Sequence, residues 1–271
     1  MHTLYLVATP IGNMEDVTLR ALRVLGEVDL IAAEDTRTTQ KLLRAHNIST
    51  KVTSYFEGNK EVKTPQIIKR LEFQDVAIVS EAGMPALSDP GYELIAAAID
   101  RGIRVVPVPG ASAITTALVV SGLPTDQFLF LGFLPRKAHH RRNFLGKIQS
   151  SPHTLVVFEA PHRLRKSLHD ILAILGDRPL AVGREMTKVF EEIFRGTVSE
   201  SIEYFQVCRG EFTLIISGAQ PETETRPPNL VEDRLLELRA DGISPTKAVT
   251  QIAREIGIRR AEVYETWIHL D

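Results

Sequence analysis

The sequence predicts an α/β protein with two lobes and a small C-terminal module resembling a helix-turn-helix. In the first part of the chain, short apolar segments alternate with helical patterns, which indicates a mostly parallel sheet. A second series of apolar segments contains one pair too close for a helix between them, which indicates a mixed sheet. A polar, proline-rich stretch then precedes three short helical patterns.

The first lobe is expected to contain five strands joined by helices. Short apolar and β-branched segments predict the strands, which cover residues 4–8, 30–33, 52–55, 76–80 and 103–108. Helical patterns cover residues 19–25 and 38–45, a segment opened by Thr64 and Pro65, and a segment opened by Asp89 and Pro90 that runs to residue 99. Thr-Pro and Asp-Pro favour helix starts because the first side chain caps the turn and Pro has no N–H to satisfy.

The second lobe follows a predicted helix at 112–120 and a break at Gly122 to Pro124. Its predicted strands cover residues 128–131, 154–158, 180–184, 189–194 and 212–217. We therefore divide the chain into an N-terminal domain at 1–115, a second α/β domain at 116–220, a linker at 221–229 and a helical module at 230–271. The module's predicted helices cover residues 230–239, 246–256 and 261–269, and a helical cap or a dimer contact is the alternative to a helix-turn-helix.

Composition excludes several classes of protein. The chain has 32 Lys and Arg against 34 Asp and Glu, so any nucleic-acid contact must come from local basic patches. The single cysteine, Cys208, cannot form an intramolecular disulfide, which favours a reducing, cytoplasmic compartment. Pro107, Pro109 and Gly110 interrupt the uncharged stretch 105–125, so no membrane span is expected, and no Cys/His spacing predicts a metal site.

Small residues follow three predicted strands and indicate a binding site. The segments are TPIGN at 9–13, EAGMPALSDPG at 81–91 and PGASA at 109–113. Parallel sheets bind ligands at the carboxyl ends of their strands, where small residues allow close approach of the main chain. Because nucleotide-binding G-x-G-x-x-G and Walker A motifs are absent, we expect a pocket for another nucleoside-containing ligand.

The best candidates for chemistry on a substrate are Glu34, Asp35 and Arg37, which follow the second predicted strand. The alternative is a helix start at which Asp35 or Thr36 caps and Arg37 is solvated. Glu81 directly follows the fourth strand, and we interpret Asp89 as a helix cap.

Basic residues of the second lobe are candidate phosphate contacts, and the alternative is a solvated helix face. These candidates for RNA binding are Arg136, Lys137, Arg141, Arg142 and Arg163. The segments 159–163 and 183–188 end strands in polar residues and are further binding candidates, with internal ion pairs of Glu185 and Lys188 as the alternative.

Eight motifs distributed over essentially the whole chain carry a family resemblance. They are VATPIGN at 7–13, AAEDTRTTQKLL at 32–43, EAGMPALSDPGYELI at 81–95, PVPGASAITTAL at 107–118, GFLPRK at 132–137, FEAPHRL at 158–164, GREMTKVFEE at 183–192 and RGEFTLII at 209–216. With these motifs the chain resembles the tetrapyrrole methylase superfamily, and within it the ribosomal RNA small-subunit methyltransferase I branch. The resemblance implies a homodimer whose two lobes enclose S-adenosylmethionine, and methylation of a cytidine ribose 2′-hydroxyl in the decoding region of small-subunit ribosomal RNA, free or in a 30S-type particle.

Transferred position by position, the resemblance implies a set of cofactor contacts. They are Pro10, Ile11, Glu81, Gly83, Met84, Ser112, Ala113 and Phe158. The chain departs from the branch at two places. It has Glu81 and Met84 at the positions where the usual motif D-A-G-T-P has Asp and Thr. It also has no histidine at 56–59, which excludes a histidine base from that loop. Glu34, Asp35 or Glu81 could accept the hydroxyl proton, and Arg37 could orient a phosphate. The alternatives are a methyltransferase of small tetrapyrroles and a non-catalytic RNA-binding protein of ribosome assembly.

Overall fold

The computed structural model describes residues 2–219, 230–256 and 258–270. The chain forms two compact units, Met1–Ala219 and Gln220–Asp271. The predicted linker at 221–229 and the turn at Gly257 lie outside the described residues.

The first lobe is a five-stranded sheet in which every neighbouring pair is parallel. Its strands are β1 (Thr3–Val7), β2 (Leu30–Ala33), β3 (Lys51–Ser54), β4 (Val76–Val79) and β5 (Arg104–Val108), in the order β3-β2-β4-β1-β5. The connecting helices are α1 (Leu19–Glu27), α2 (Thr36–Ala45), α3 (Lys60–Arg70) and α4 (Tyr92–Asp100). Because apolar clusters cover both faces of the sheet, β2 and β4 are buried throughout, which explains their continuous apolar sequences.

The second lobe is the expected mixed sheet. Its elements are α5 (Ala113–Val120), β6 (Phe128–Phe133), α6 (Ala138–Lys147), β7 (Thr154–Glu159), α7 (Leu164–Leu175), β8 (Pro179–Arg184), β9 (Glu192–Thr197), α8 (Val198–Tyr204) and β10 (Phe212–Ile216). The strand order is β6-β7-β10-β8-β9, with β6 and β7 parallel and the other neighbours antiparallel. Helix α5 packs through Ile114 and Leu118 against one face of this sheet.

The described residues of the C-terminal unit form three helices around a small apolar core. They are α9 (Leu230–Ala240), α10 (Pro245–Ile256) and α11 (Arg260–Ile268). Leu235, Val249, Ile252 and Val263 are buried at their centre. Across the described parts of the chain, no helix combines the length and the apolar character needed to cross a membrane.

Three predicted element starts are wrong. Helix α3 begins at Lys60, four residues before Thr64, and contains Pro65, because Lys60 pairs with Glu57 and Glu93 and anchors an additional first turn. Helix α4 begins after Gly91, so Asp89 does not cap it. Strand β9 begins at Glu192 because the segment before it forms a turn.

The residues of that turn explain the late start of β9. The Lys188 N–H donates to the Glu185 carbonyl at 3.0 Å, and the Glu191 N–H donates to the Lys188 carbonyl at the same distance. Val189 and Phe190 are exposed. These two apolar residues have the composition of a strand, but they do not belong to one because they lie in the turn before β9.

Candidate functional site

A cavity of about 330 Å³ lies between the two lobes, at the carboxyl ends of the first-lobe strands. The first lobe contributes residues that follow β1, β2, β4 and β5, and the second lobe contributes residues at the ends of β6, β7, β8 and β10. The lining residues are Ile11, Glu34, Glu81, Ala82, Gly83, Met84, Leu87, Ser88, Asp89, Ser112, Ala113, Ile114, Phe133, Phe158, Glu159, Ala160, Pro161, Gly183, Met186, Glu211, Phe212 and Thr213.

Main-chain hydrogen bonds fix the first-lobe wall of this cavity. The N–H of Thr9 donates to the Gly83 carbonyl at 2.9 Å, and the N–H of Gly83 donates back to the Thr9 carbonyl at 3.0 Å. Gly83 has a φ of 77°, a backbone conformation that residues with a Cβ rarely adopt. A Cβ added to Gly83 would lie 3.4 Å from Ile11 Cγ2. The loop after β4 is therefore held against the loop after β1, with its main chain at the cavity surface.

Apolar side chains form much of the second-lobe wall. The ring of Phe158 lies 5.7 Å from that of Phe133 and 5.1 Å from that of Phe130, centroid to centroid. Met186 packs so closely over Gly183 that an added Cβ would lie 2.7 Å from its sulfur. The cavity thus offers an aromatic surface of the kind that binds the flat ring of a nucleoside.

The lobes approach each other closely at Gly12. A Cβ added to Gly12 would lie 2.5 Å from Lys188 Cγ and 2.8 Å from Thr187 Oγ1, both in the second lobe. Glycine is therefore required sterically where the first-lobe loop meets the turn that carries Met186.

Glu34, Glu81 and Asp89 form a group of carboxylates on the first-lobe side. The Glu81 N–H donates to Glu34 Oε2 at 3.1 Å. Partial burial, followed by the charges of Asp35 and Glu34, raises the pKa of Glu81. Burial raises the pKa of Asp89 to about 7, with the charges of Glu34 and Glu81 adding to the rise and a hydrogen bond with Ser80 opposing it.

Asp35 is a helix cap, as one of the two sequence interpretations allowed. Its Oδ1 accepts the N–H groups of Arg37 at 2.7 Å and Thr38 at 3.1 Å. These bonds lower the pKa of Asp35 and stabilise its charged form. The Arg37 guanidinium is 88% exposed and lies 3.4 Å from Asp35 Oδ2. Of the three candidate catalytic residues, only Glu34 lines the cavity.

The structure corrects the assignment of Arg141 as an RNA contact. Its side chain is only 5% exposed, donates through Nε to Asp170 at 2.8 Å and also donates to the carbonyls of Pro135 and Arg136. A guanidinium committed to these internal acceptors has no free face for a phosphate.

The other candidate RNA contacts differ in their exposure. Arg163 is also turned inward, because it donates to the Leu134 carbonyl and pairs with Glu159. Arg142 pairs with Asp170 but remains 59% exposed. Arg136 and Lys137 are exposed.

The fold brings most of the predicted cofactor contacts together. Ile11, Glu81, Gly83, Met84, Ser112, Ala113 and Phe158 line the cavity. Pro10 instead lines an adjoining cavity of about 280 Å³, together with Thr38 and Lys188.

Sequence reasoning did not name the cavity residues Phe133, Phe212 and Thr213, and it interpreted Asp89, within the segment 81–91 expected to bind a ligand, as a helix cap. Phe212 and Thr213 reach the cavity because β10 lies between β7 and β8, a pairing that local sequence patterns do not reveal. The helix-start pattern Asp-Pro-Gly concealed Asp89, although its position in the loop after β4 was a signal that could have identified it.

Within the described ranges, no group of three or more His, Cys, Asp or Glu side chains is arranged to hold a metal ion.

Comparison with known proteins adds sequence relationships to this geometry. Residues 3–201 match the family described as tetrapyrrole (corrin/porphyrin) methylases. A protein of Halalkalibacterium halodurans named ribosomal RNA small subunit methyltransferase I is 46% identical, over 98% of this chain and 94% of its own. A Synechocystis protein of the same name is 44% identical, over 100% and 99% of the two chains.

A solved structure supports the same fold. The uroporphyrin-III-C-methyltransferase of Thermus thermophilus superposes with a TM-score of 0.56 at 22% identity, covering 80% of this chain and 94% of the other. The sequence match, the relatives and the two-lobed architecture agree, and the chain belongs to the tetrapyrrole methylase family, in its ribosomal RNA small-subunit methyltransferase I branch.

Proposed function

We propose that this protein transfers the methyl group of S-adenosylmethionine to the 2′-hydroxyl of a cytidine ribose in the decoding region of small-subunit ribosomal RNA. The observation that carries the proposal is the interlobe cavity, which gathers strand-end loops from both sheets. The relatives' names support ribosomal RNA as the substrate. The same proposal includes a homodimer, which follows from the resemblance, and a cytoplasmic location, which the single cysteine favours.

The residues present fit S-adenosylmethionine. Its nucleoside part needs an apolar wall and nearby main-chain groups, which the cavity offers at Phe158 and in the loops at Gly83 and Ser112. Its positive sulfonium favours negative surroundings, which Glu34 and Asp89 supply. When bound, the cofactor supplies a methyl group on a sulfur that is a good leaving group.

The protein's contribution to this reaction is alignment of the reactants and control of a proton. Alignment is effective because the transfer needs oxygen, carbon and sulfur in line, and a rigid pocket removes the entropic cost of reaching that geometry. The hydrogen bonds between Thr9 and Gly83 and the interlobe contact at Gly12 supply such rigidity. Cavity carboxylates can accept the hydroxyl proton.

RNA contact is assigned to exposed cations beside the cavity. Arg136 and Lys137 follow β6, whose last residue Phe133 lines the cavity. Arg37 lies in the first turn of α2 and is 88% exposed beside Asp35. These guanidinium and ammonium groups are exposed and can reach phosphates in a way that the buried Arg141 cannot.

The deciding experiment offers labelled S-adenosylmethionine with small ribosomal subunits, naked small-subunit RNA or a porphyrin precursor, and maps the methylated atom. We expect label on a cytidine ribose 2′-oxygen of the RNA. Label on the porphyrin precursor would favour the tetrapyrrole alternative, and binding of the cofactor without any transfer would favour the non-catalytic one. Either result would refute the proposal.

The RNA surface is tested by replacing Arg136 and Lys137 together with alanine. Removing two phosphate contacts should reduce the slope of log affinity against log salt by about 1.5. The matched control replaces Lys69 and Arg70, an adjacent exposed pair on α3. An unchanged slope in the first variant, or an equal reduction in the control, would contradict this assignment.

A further inference from the structure

Asp89 lies in the loop between β4 and α4 and lines the interlobe cavity. The sequence pattern assigns it to capping of α4, but that helix begins after Gly91, whose carbonyl accepts the N–H of Ile95 at 3.0 Å. Its carboxylate is therefore not used by the helix.

The groups that face Asp89 from its own lobe are negative or neutral. Glu34 comes from the end of β2 and Glu81 from the end of β4, and Ser80 supplies a hydrogen bond. Within the part of the chain that the structure describes, Asp89 makes no ion pair with a Lys, Arg or His. Because of burial and these two charges, its pKa is about 7, so the carboxylate gains and loses a proton near neutral pH.

The second lobe adds two carboxylates to the cavity, and both are already paired. Glu159 accepts the Ala160 N–H at 2.9 Å and the Ser167 hydroxyl, and pairs with Arg163 at 3.2 Å. Glu211 is 75% exposed and pairs with Lys188 at 3.0 Å. Both carboxylates therefore have a cationic partner, which Asp89 lacks among the described residues.

The two first-lobe neighbours of Asp89 are also less suited to this task. Glu34 accepts the main-chain N–H of Glu81 at 3.1 Å, so one of its carboxylate oxygens is already engaged. Glu81 is exposed, whereas Asp89 is half-buried. A general base works best when its pKa is near the working pH, and Asp89 meets this condition.

The loop that carries Asp89 has an unusual main-chain conformation and reaches the second lobe. Ala86 and Ser88 have φ of 67° and 69°, in the left-handed region that is unfavourable for residues with a Cβ. Ser88 Oγ would lie 3.2 Å from a Cβ added to Gly132 of β6, so the loop touches the second lobe. Such unfavourable conformations persist where the surrounding structure enforces them, often at functional sites.

We propose that Asp89 is the catalytic residue that accepts the proton of the hydroxyl group to be methylated. The inference rests on the proposed function and identifies the proton acceptor in it. The hydroxyl oxygen forms a bond to the methyl carbon as the carbon–sulfur bond breaks and its electron pair stays on sulfur. The hydroxyl proton passes to the Asp89 carboxylate and leaves to solvent after the product departs.

The test compares Asp89→Asn and Asp89→Glu with the wild-type chain, with Asp126→Asn as the matched control on an exposed loop. Single-turnover transfer from S-adenosylmethionine to small ribosomal subunits is measured between pH 5.5 and 9. We expect the wild-type rate to rise tenfold per pH unit below about 7 and then level off. Asp89→Asn should lose about 100-fold or more in rate and the pH-dependent rise, while Asp89→Glu keeps part of the rate.

Two measurements without turnover accompany the rates. Calorimetry with S-adenosylhomocysteine should give affinities within about threefold of wild type for Asp89→Asn and Asp126→Asn, because the isosteric amide preserves the cavity. Carbon-13 NMR of chain labelled at Asp carboxyl groups, without ligand, should show one resonance with a midpoint near 7 that is missing in both Asp89 variants and retained in Asp126→Asn.

The outcomes separate the inference from the function on which it depends. An active wild type with Asp89→Asn within threefold of its rate would overturn the role of Asp89 alone. A carboxyl midpoint below 5 would do the same. Failure of the wild-type chain to methylate RNA, despite binding the cofactor, would refute the proposed function.

Discussion

Asp35 and Asp89 both precede helices that follow neighbouring parallel strands, yet their surroundings shift their pKa values in opposite directions. Asp35 accepts two main-chain N–H groups at the start of α2, and its pKa is lowered. Asp89 is desolvated beside Glu34 and Glu81, and its pKa is raised. The first environment stabilises a fixed charge, and the second allows a proton to bind and leave at neutral pH.

This difference predicts how stability depends on pH. The folded state holds a proton on Asp89 up to pH 7, whereas the unfolded state releases it near 3.8, so this carboxyl's contribution to stability falls as pH rises between those values. Asp89→Asn lacks this effect. Its free energy of unfolding should match that of the wild type at pH 4 and exceed it at pH 8 by on the order of 2 kcal/mol, less than the full pKa shift implies because solvent screens this half-buried carboxyl.

Urea unfolding at the two pH values measures this difference. Asp126→Asn is the control, since its exposed carboxyl should give the same difference from wild type at both. If the difference in free energy of unfolding between Asp89→Asn and the wild type were the same at pH 4 and pH 8, the raised pKa of Asp89 would be disproved.

At the scale of elements, a buried ion pair joins two helices of the second lobe. Arg141 of α6 and Asp170 of α7 each have side chains 5% exposed. Burial opposes the charge of Asp170, but hydrogen bonds from Arg142 and Arg141 outweigh it, and the pKa of Asp170 is lowered. The same Arg141 side chain also holds the loop before α6 through the carbonyls of Pro135 and Arg136.

Arg141→Ala should therefore reduce the free energy of unfolding by about 3 kcal/mol, because it leaves a buried carboxylate and two carbonyls short of a partner. Arg142→Ala is the matched control and should cost at most about 1 kcal/mol, since that guanidinium is mostly exposed. Chemical denaturation of both variants measures the two costs. Equal, small losses would show that the buried pair does not stabilise the helix contact.

The elements show what could be predicted from sequence and where prediction stopped. Continuous apolar strands such as β2 and β4 were predictable because burial on both faces leaves a strong signal. The start of α3 was wrong because its first turn contains Lys60, whose partner Glu93 is 33 residues away and is not visible to local patterns. Arg141 was misassigned for a related reason, since its partner Asp170 is 29 residues away and no local pattern reveals it.

At the scale of the whole molecule, the cavity belongs to a single compact unit. Its lining residues run from Ile11 to Thr213, within Met1–Ala219. Helix α5 packs against the second sheet, which supports our proposal that the two lobes divide near residue 115. The first-lobe candidates for cofactor contact were predictable as a group because strand-end loops of a parallel sheet meet at one edge, whereas Phe212 and Thr213 of the opposite wall depended on antiparallel pairing.

A chain ending at Ala219 should therefore keep its affinity for S-adenosylhomocysteine within about threefold, since it retains the cavity residues and the apolar clusters of both sheets. Its affinity for small-subunit RNA should fall, because we propose that the helical module resembling a helix-turn-helix contributes to RNA binding. Calorimetry measures the first quantity and filter binding the second. A tenfold loss of cofactor affinity would contradict the independence of the cavity from the C-terminal unit, and unchanged RNA affinity would favour a structural role for α9, α10 and α11.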